Sequence, residues 1–206
     1  MCCQFGGVAS AHLDYDLAPY VKKSFYKHWK DGFDWLSYDP EEAEGKNGQS
    51  IDHAIKSNLS IDDIFFKYPS IVYEYAMEMT EREGRQAAQA LYHNLNTLES
   101  RAGSQVPFSS INFGTDTSVE GRCVTRWMLE ASLDGIGKYN RTSIFPISVF
   151  KYKKGINDKP GTPNYDLRLL AEKSLSRRIY PNIVNCDFSE NHEVEGDPDT
   201  EMATMG

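Results

Sequence analysis

The sequence predicts an α/β protein with a mainly helical first half and a second half that alternates strands and helices. Three observations lead to this fold class. Apolar residues recur at helical spacing through much of residues 1–100. Residues 101–188 contain three strand-like runs separated by two amphipathic helical segments. Strands that alternate with helices in this way pair in parallel, with right-handed crossovers.

The first half predicts helices on both sides of a polar loop. From Asp14 to about Trp35, apolar side chains form one helical stripe. After the loop, a second helix is broken at Pro69, and one long helix then runs toward Ser100. Gly84 falls inside the long helix at a cost of about 1 kcal/mol relative to alanine. We therefore expect a kink or close packing at Gly84.

The second half begins with a strand from Val106 to Gly114. Thr117 and Glu120 then have the spacing of a capping box, which predicts that the next helix is capped by Thr117. One face of this helix is apolar and consists of Val119, Cys123, Val124, Trp127, Met128 and Ala131.

Residues 143–152 predict a second strand, in which Pro146 indicates an irregular or edge position. Thr162 followed by Pro163 predicts the N-cap and first residue of another helix. Residues 182–188 predict a third strand. The apolar face of the helix between these strands consists of Leu167, Leu170, Ala171 and Leu175.

Ligands bind beyond the carboxyl ends of parallel strands. The strand ends are expected around residues 112–117, 150–154 and 185–188. The turn at residues 114–118, "GTDTS", places backbone N–H groups at a helix start, where they would bind phosphate or only cap the helix. Asp116 would repel an anion there, so both interpretations stay open.

Polar side chains occur on both faces of the first predicted strand. With a period of two, one face carries Phe108, Ser110 and Asn112, and the other carries Ser109, Ile111 and Phe113. A buried strand with so many hydrogen-bonding groups faces a ligand, or uses those groups to bond neighbouring backbone.

The formal net charge of −8 argues against nucleic-acid binding, which needs clustered Lys and Arg. No apolar run approaches the length of a membrane span, and the N-terminus lacks the features of a signal peptide, so we expect a cytoplasmic protein. Residues 189–206 are predicted to form an acidic, solvated loop.

No metal site is predicted. The four cysteines form no C-x-x-C pair, and the five histidines are scattered, so each is expected at the surface or satisfied in the core. Cys123 is expected to be a small buried hydrophobe. Phosphate-loop, dinucleotide-binding, zinc-protease and serine-hydrolase motifs are absent from the sequence.

Several long segments are more specific than composition. The chain resembles the anaerobic, class III ribonucleoside-triphosphate reductases over most of its length, and the resemblance is weakest over residues 30–69. The segments that carry the resemblance are "GGVASAHLDYDLAPYVKKSFYKH", "SRAGSQVPFSSINFGTDTSVEGR", "RTSIFPISVFKYKKGINDKPGTPNYDL", "SRRIYPNIVNCDF" and "DPDTEMATMG". They occur in the order and at roughly the spacing of that family.

The resemblance implies a glycyl-radical enzyme built on a ten-stranded α/β barrel. In this family a glycyl radical generates a thiyl radical on a finger-loop cysteine, which abstracts the ribose 3′ hydrogen; the 2′ hydroxyl leaves as water. Formate or a thiol system supplies the electrons. The family also implies a structural zinc, ATP and deoxyribonucleoside-triphosphate effectors, a radical-SAM iron–sulfur activating protein, and a homodimer.

Residues 1–206 are accordingly expected to form a single incomplete catalytic-barrel domain. The family's radical cysteine follows the "MATMG" segment, and its radical glycine lies further on, so no catalytic residue is expected among these residues. The first barrel strand is expected to precede Met1. These 206 residues alone are expected to be inactive.

The resemblance assigns expected binding residues. Ser110, Asn112 and Ser109 are expected to bind substrate, together with Gln105, Arg101, Met205 and Gly206. Packing of the helix–strand joint explains Arg101 and Gln105 nearly as well. Lys22 and Lys23 are expected to bind effectors, with simple solvent exposure as the alternative.

Two other functions remain open at this point. A formate-lyase-like glycyl-radical enzyme shares the barrel, although the "PFSSINFG" and "DPDTEMATMG" segments fit the reductases better. A non-catalytic nucleotide-binding module is the second alternative.

Overall fold

The structure, a computed structural model, describes residues 7–35, 55–67, 70–97, 106 and 108–188. Nine longer elements are described in this part of the chain. In order they are β1 (Gly7–Ser10), α1 (Leu13–Trp35), α2 (Ile61–Lys67), α3 (Ser70–Thr97), β2 (Phe108–Phe113), α4 (Val119–Asp134), β3 (Ile147–Tyr152), α5 (Tyr165–Arg177) and β4 (Asn182–Asn185). A short 3₁₀ turn, Cys186–Phe188, follows β4.

The described strands form one four-stranded sheet in the order β1-β2-β3-β4, and every neighbouring pair is parallel. This confirms the predicted parallel sheet in the second half. β1 was not predicted: it lies in the segment that the sequence analysis placed after the first barrel strand. It is short, and among the described strands its pairing partner is β2.

One face of the sheet packs against the helices. Ile111, Phe113 and Phe150 point to this face and belong to a core cluster that includes Trp127 of α4 and Leu167 of α5. Ser148 lies on the same face, and its hydroxyl is 3.2 Å from the Tyr92 hydroxyl of α3. The predicted helix-facing set on β2 is thus confirmed for Ile111 and Phe113.

A second core cluster joins α1, α2 and α3. Phe25 and Trp29 of α1 pack with Ile64 of α2 and with Val72 and Ala76 of α3, and all five side chains are buried. The helices therefore form a layer that is held together by its own apolar contacts as well as by the sheet. Among the described helices, none is long and apolar enough to cross a membrane.

Both predicted helix starts are wrong by one or two residues. Ser118, not Thr117, caps α4, because its hydroxyl accepts a hydrogen bond from the Gly121 N–H. α5 begins after Asn164 rather than after Thr162. The Asn164 side chain makes no capping bond; its Oδ1 atom accepts instead from Nη1 of Arg122 at 2.7 Å.

Two further details of the second half differ from prediction. Pro146 lies just before β3, and β3 is an interior strand with neighbours on both sides, so the edge interpretation is wrong. On α5, Leu175 is exposed. The buried side chains of this helix are Leu167, Ala171 and Ser174, which are spaced four and three residues apart, so the core-facing stripe passes through Ser174 and not Leu175. Leu167 and Ala171 are buried as predicted.

Gly84 packs closely against α4, as expected. A β-carbon at this position would lie 2.2 Å from a ring carbon of Trp127. We predict that Gly84→Ala destabilises the protein by about 1–3 kcal/mol, because overpacking outweighs the gain of about 1 kcal/mol in helix propensity. Thermal or urea unfolding measures this change.

The cause is tested by shrinking the partner. If the clash is responsible, Gly84→Ala costs much less in a Trp127→Leu background than in the native one. An equal cost in both backgrounds would contradict the close-packing explanation.

Candidate functional site

The face of the sheet opposite the helices carries buried polar side chains near the carboxyl ends of β2 and β3. Asn112 is 0% exposed and Ser110 is 3% exposed, and both point to this face. Asn112 pairs with Val149 of β3, which is also buried but belongs to neither core cluster of the helix layer.

A lysine extends this polar face at the carboxyl end of β3. Lys151 follows Val149 by two residues, so both lie on one face, and its side chain is fully buried. Its Nζ lies 3.3 Å from Nδ1 of His12, which directly precedes α1. An ammonium group is costly to bury and is seldom found inside unless polar groups surround it.

Sequence reasoning missed this pair. The alternation of residues 149–151 puts Lys151 on the same face as Val149, which was the available signal. His12 gave no signal, because it lies 139 residues away in the sequence.

The turn after β2 is built around a buried carboxylate. Oδ2 of Asp14, in the first turn of α1, accepts hydrogen bonds from the backbone N–H groups of Gly114 at 2.8 Å, Thr115 at 3.1 Å and Asp116 at 3.1 Å. Successive N–H groups of this kind make an anion-binding nest. Here the anion is a side chain of the same chain.

This finding overturns the phosphate interpretation of the "GTDTS" turn. The N–H groups of residues 114–116 are already donated to Asp14, and Asp116 Oδ1 accepts the N–H of Ser118. The turn fixes the chain between β2 and α4, which agrees with the capping alternative.

Two asparagine amides hold the same turn from the other side. Asn157 Nδ2 donates to the carbonyl of Gly114 at 3.1 Å and to that of Lys151 at 2.9 Å. Asn164 Nδ2 donates to the carbonyls of Gly114 at 3.1 Å and Asp116 at 2.8 Å. Buried carbonyls without donors would be costly, so Asn157 and Asn164 stabilise the ends of β2 and β3 together.

The structure separates the remaining predicted substrate residues. Ser109 is buried on the helix-facing side of β2, opposite Ser110 and Asn112, and its hydroxyl has no hydrogen-bond partner among the described residues. The other four residues, Arg101, Gln105, Met205 and Gly206, lie outside the described residues.

Lys22 and Lys23 line one groove beside α1. Its volume is about 790 Å³, and its walls also carry Tyr15, Asp16, Ala18, Pro19, Tyr20, Tyr26, Asn58, Asp116 and Glu120. Lys22 Nζ donates to the carbonyl of Asn58 at 2.8 Å and lies 5.9 Å from the centre of the Tyr26 ring. Burial, with a smaller contribution from Glu120, raises the pKa of Tyr26 to about 12.

No group of three or more possible metal ligands occurs among the described residues. Cys123 is buried in the core as predicted, and burial raises the pKa of its thiol, which favours the unreactive protonated form. Cys186 is also buried, and neither Cys123 nor Cys186 forms a disulfide with another described residue.

The fold and this polar face define an α/β protein with a parallel sheet, helices on one side, and buried hydrogen-bonding groups on the other. A family model described as "Anaerobic ribonucleoside-triphosphate reductase" matches residues 2–206. The chain belongs to the anaerobic ribonucleoside-triphosphate reductase family.

Comparison with individual members of this family gives the same assignment. Anaerobic ribonucleoside-triphosphate reductases from Salmonella typhimurium and Escherichia coli are each 34% identical over 183 residues, which cover 89% of this chain and 21% of the relative. The enzyme from Enterobacteria phage T4 is 31% identical over 182 residues, covering 88% of this chain and 25% of the relative. The chain thus spans about a fifth to a quarter of these relatives. The formate-lyase-like alternative is not favoured.

Proposed function

We propose that these residues form part of the catalytic barrel of an enzyme that reduces ribonucleoside triphosphates to deoxyribonucleoside triphosphates for DNA synthesis. The observation that carries this proposal is the set of buried polar side chains Ser110, Asn112 and Lys151 on the face of the sheet away from the helices, in a chain of this family. A parallel sheet with helices on one side is what a segment of an α/β barrel wall would be, with its other side toward the barrel interior.

In this proposal β1 to β4 are four of the ten barrel strands, and α1 to α5 lie outside them. Residues 1–206 would form one incomplete barrel domain, in which residues 1–100 are mainly helical and 101–188 contain strand–helix repeats; residues 189–206, for which the sequence predicts an acidic loop, lie outside the described residues. Burial of the helix-facing side chains of β2 and β3 supports the assignment of outside and inside.

The chain's own residues would bind and orient substrate. Asn112 and Ser110 have hydrogen-bonding groups for sugar hydroxyls or phosphate oxygens, and Lys151 has a positive charge for an anionic ligand. Exclusion of water from this face would strengthen each such interaction. Arg101, Gln105, Met205 and Gly206 are proposed to bind substrate as well, whereas Ser109 faces the helices and is left out of the proposed set.

The radical chemistry requires groups from elsewhere in the longer protein. The glycyl radical would generate the thiyl radical that starts reduction of the ribose. A structural zinc does not fit the described residues, because they contain no group of three ligands, so we place it elsewhere. Family membership supports a radical-SAM activating protein, a homodimer and a cytoplasmic location as further proposals.

We predict that Asn112→Ala in the full-length enzyme raises KM for the ribonucleoside triphosphate or lowers kcat, with a loss of about tenfold or more in kcat/KM. A lost hydrogen bond to a bound polar group costs about 1.5 kcal/mol or more, which corresponds to such a factor. Anaerobic steady-state assays measure the loss.

Ser110→Ala and Ser109→Ala form a matched pair for the same test. They remove the same hydroxyl from adjacent residues on opposite faces of β2. Ser110→Ala should lower kcat/KM, and Ser109→Ala should leave it near the native value. Native kinetics for both Asn112→Ala and Ser110→Ala would exclude this face as the substrate face.

We also propose that the groove beside α1 binds the triphosphate effector through Lys22 and Lys23. The two ammonium groups and the rings of Tyr15, Tyr20 and Tyr26 support a phosphate-bearing aromatic ligand, although the carboxylates of Asp16, Asp116 and Glu120 in the same groove oppose its phosphates. Lys22 also ties α1 to Asn58, so Lys23 is the cleaner residue to change.

We predict that Lys23→Ala weakens effector binding about tenfold, because one charge-assisted contact of about 1.5 kcal/mol is lost. Isothermal titration calorimetry with a deoxyribonucleoside triphosphate measures the Kd. Lys30→Ala, at an exposed position on the same helix outside the groove, should bind the effector normally. Equal affinities for both variants would rule out the groove.

A further inference from the structure

The nest around Asp14 connects the start of α1 to the ends of β2 and β3. Asp14 is 1% exposed, and its Oδ2 atom accepts all three N–H groups of residues 114–116. Its other oxygen, Oδ1, lies 3.2 Å from the N–H of Tyr15. A carboxylate that accepts several backbone N–H groups forms strong, charge-assisted bonds.

The turn held by Asp14 lies next to the polar face. Gly114, the first donor, is two residues beyond Asn112 on the same strand. The Gly114 carbonyl also accepts from Asn157, which in turn donates to the carbonyl of Lys151. The positions of Asn112 on β2 and Lys151 on β3 are thus linked through one buried network.

Glycine is required at two points where this network is tight. Gly114 has φ +120°, and a β-carbon there would lie 2.9 Å from the Phe150 ring. At Gly121, a β-carbon would lie 2.0 Å from Oδ2 of Asp116. The backbone of the turn therefore has little freedom to adjust if one bond is lost.

We propose that Asp14 is a positioning residue for the substrate face: its carboxylate fixes the carboxyl end of β2 and thereby sets the position of Asn112. This inference rests on the proposed function of that face. Displacement of a binding group by about 1 Å can reduce a reaction rate a hundredfold. Asp14→Asn keeps the shape but replaces a carboxylate with an amide, whose NH₂ group cannot accept the backbone donors.

The test is a double-mutant cycle in the full-length enzyme with Asp14→Asn, Asn112→Ala and the double variant. Activity with a ribonucleoside triphosphate gives kcat/KM for each. We expect Asp14→Asn to lower kcat/KM about tenfold to a hundredfold. The double variant should be no worse than the poorer single variant, because residues that act through one another are not additive.

A second readout does not depend on activity. Hydrogen exchange of a peptide spanning residues 111–118 should accelerate in Asp14→Asn, because the three backbone N–H groups exchange a charged acceptor for a weaker neutral amide oxygen. Val72→Ala is the control, since Val72 is buried in the α1–α2–α3 cluster away from the turn. It should lower thermal stability while leaving kcat/KM and this exchange near native values.

The outcomes separate this inference from the proposed function. A native enzyme that reduces no ribonucleoside triphosphate would refute the proposed function. An active native enzyme in which the two losses multiply, or in which Asn112→Ala has no effect while Asp14→Asn does, would overturn the positioning role. If Asp14→Asn does not fold, Asn157→Ala replaces it in the same cycle, since it loosens the same strand ends from the other side.

Discussion

The backbone arrangement at the carboxyl end of β2 depends on one buried carboxylate, that of Asp14. Asp14 enters from the first turn of α1 and accepts three backbone N–H groups in the turn between β2 and α4. Without it, those donors would be buried with no acceptor from α1, and each unsatisfied group costs about 1–3 kcal/mol. The helix layer and the sheet therefore meet at a fixed point as well as through apolar contacts.

Polar groups on the opposite face are available to a ligand in the proposed function. A fully buried lysine and a fully buried asparagine contribute less to stability than apolar side chains of similar size would. The helix-facing side of the same strands has Ile111, Phe113 and Phe150, which pack as an ordinary core. This contrast between two faces of one sheet is the structural basis of the proposed function.

Periodic features were predictable from the sequence, whereas long-range polar contacts were not. The stripe from Val119 to Ala131 correctly predicted α4, and the order of strands and helices correctly predicted a parallel sheet. β1 was missed because its four residues, "GVAS", contain only one β-branched residue. The cap of α4 was misplaced because only Thr117 has a glutamate three residues later, whereas in the structure it is the Ser118 hydroxyl that reaches a backbone N–H, that of Gly121.

The Asp14 nest was not predictable, because its partners lie 100 to 102 residues further along the chain. The start of α5 was placed at Thr162 rather than Asn164 for a similar reason. The Asn164 amide donates to the carbonyls of Gly114 and Asp116, which are about 50 residues away in the sequence.

The most direct measurement is a crystal structure of the full-length enzyme with a ribonucleoside triphosphate bound. We predict ligand atoms within hydrogen-bonding distance of Asn112, on the side of the sheet away from the helices. A substrate bound on the helix side, or remote from β2 and β3, would contradict the account.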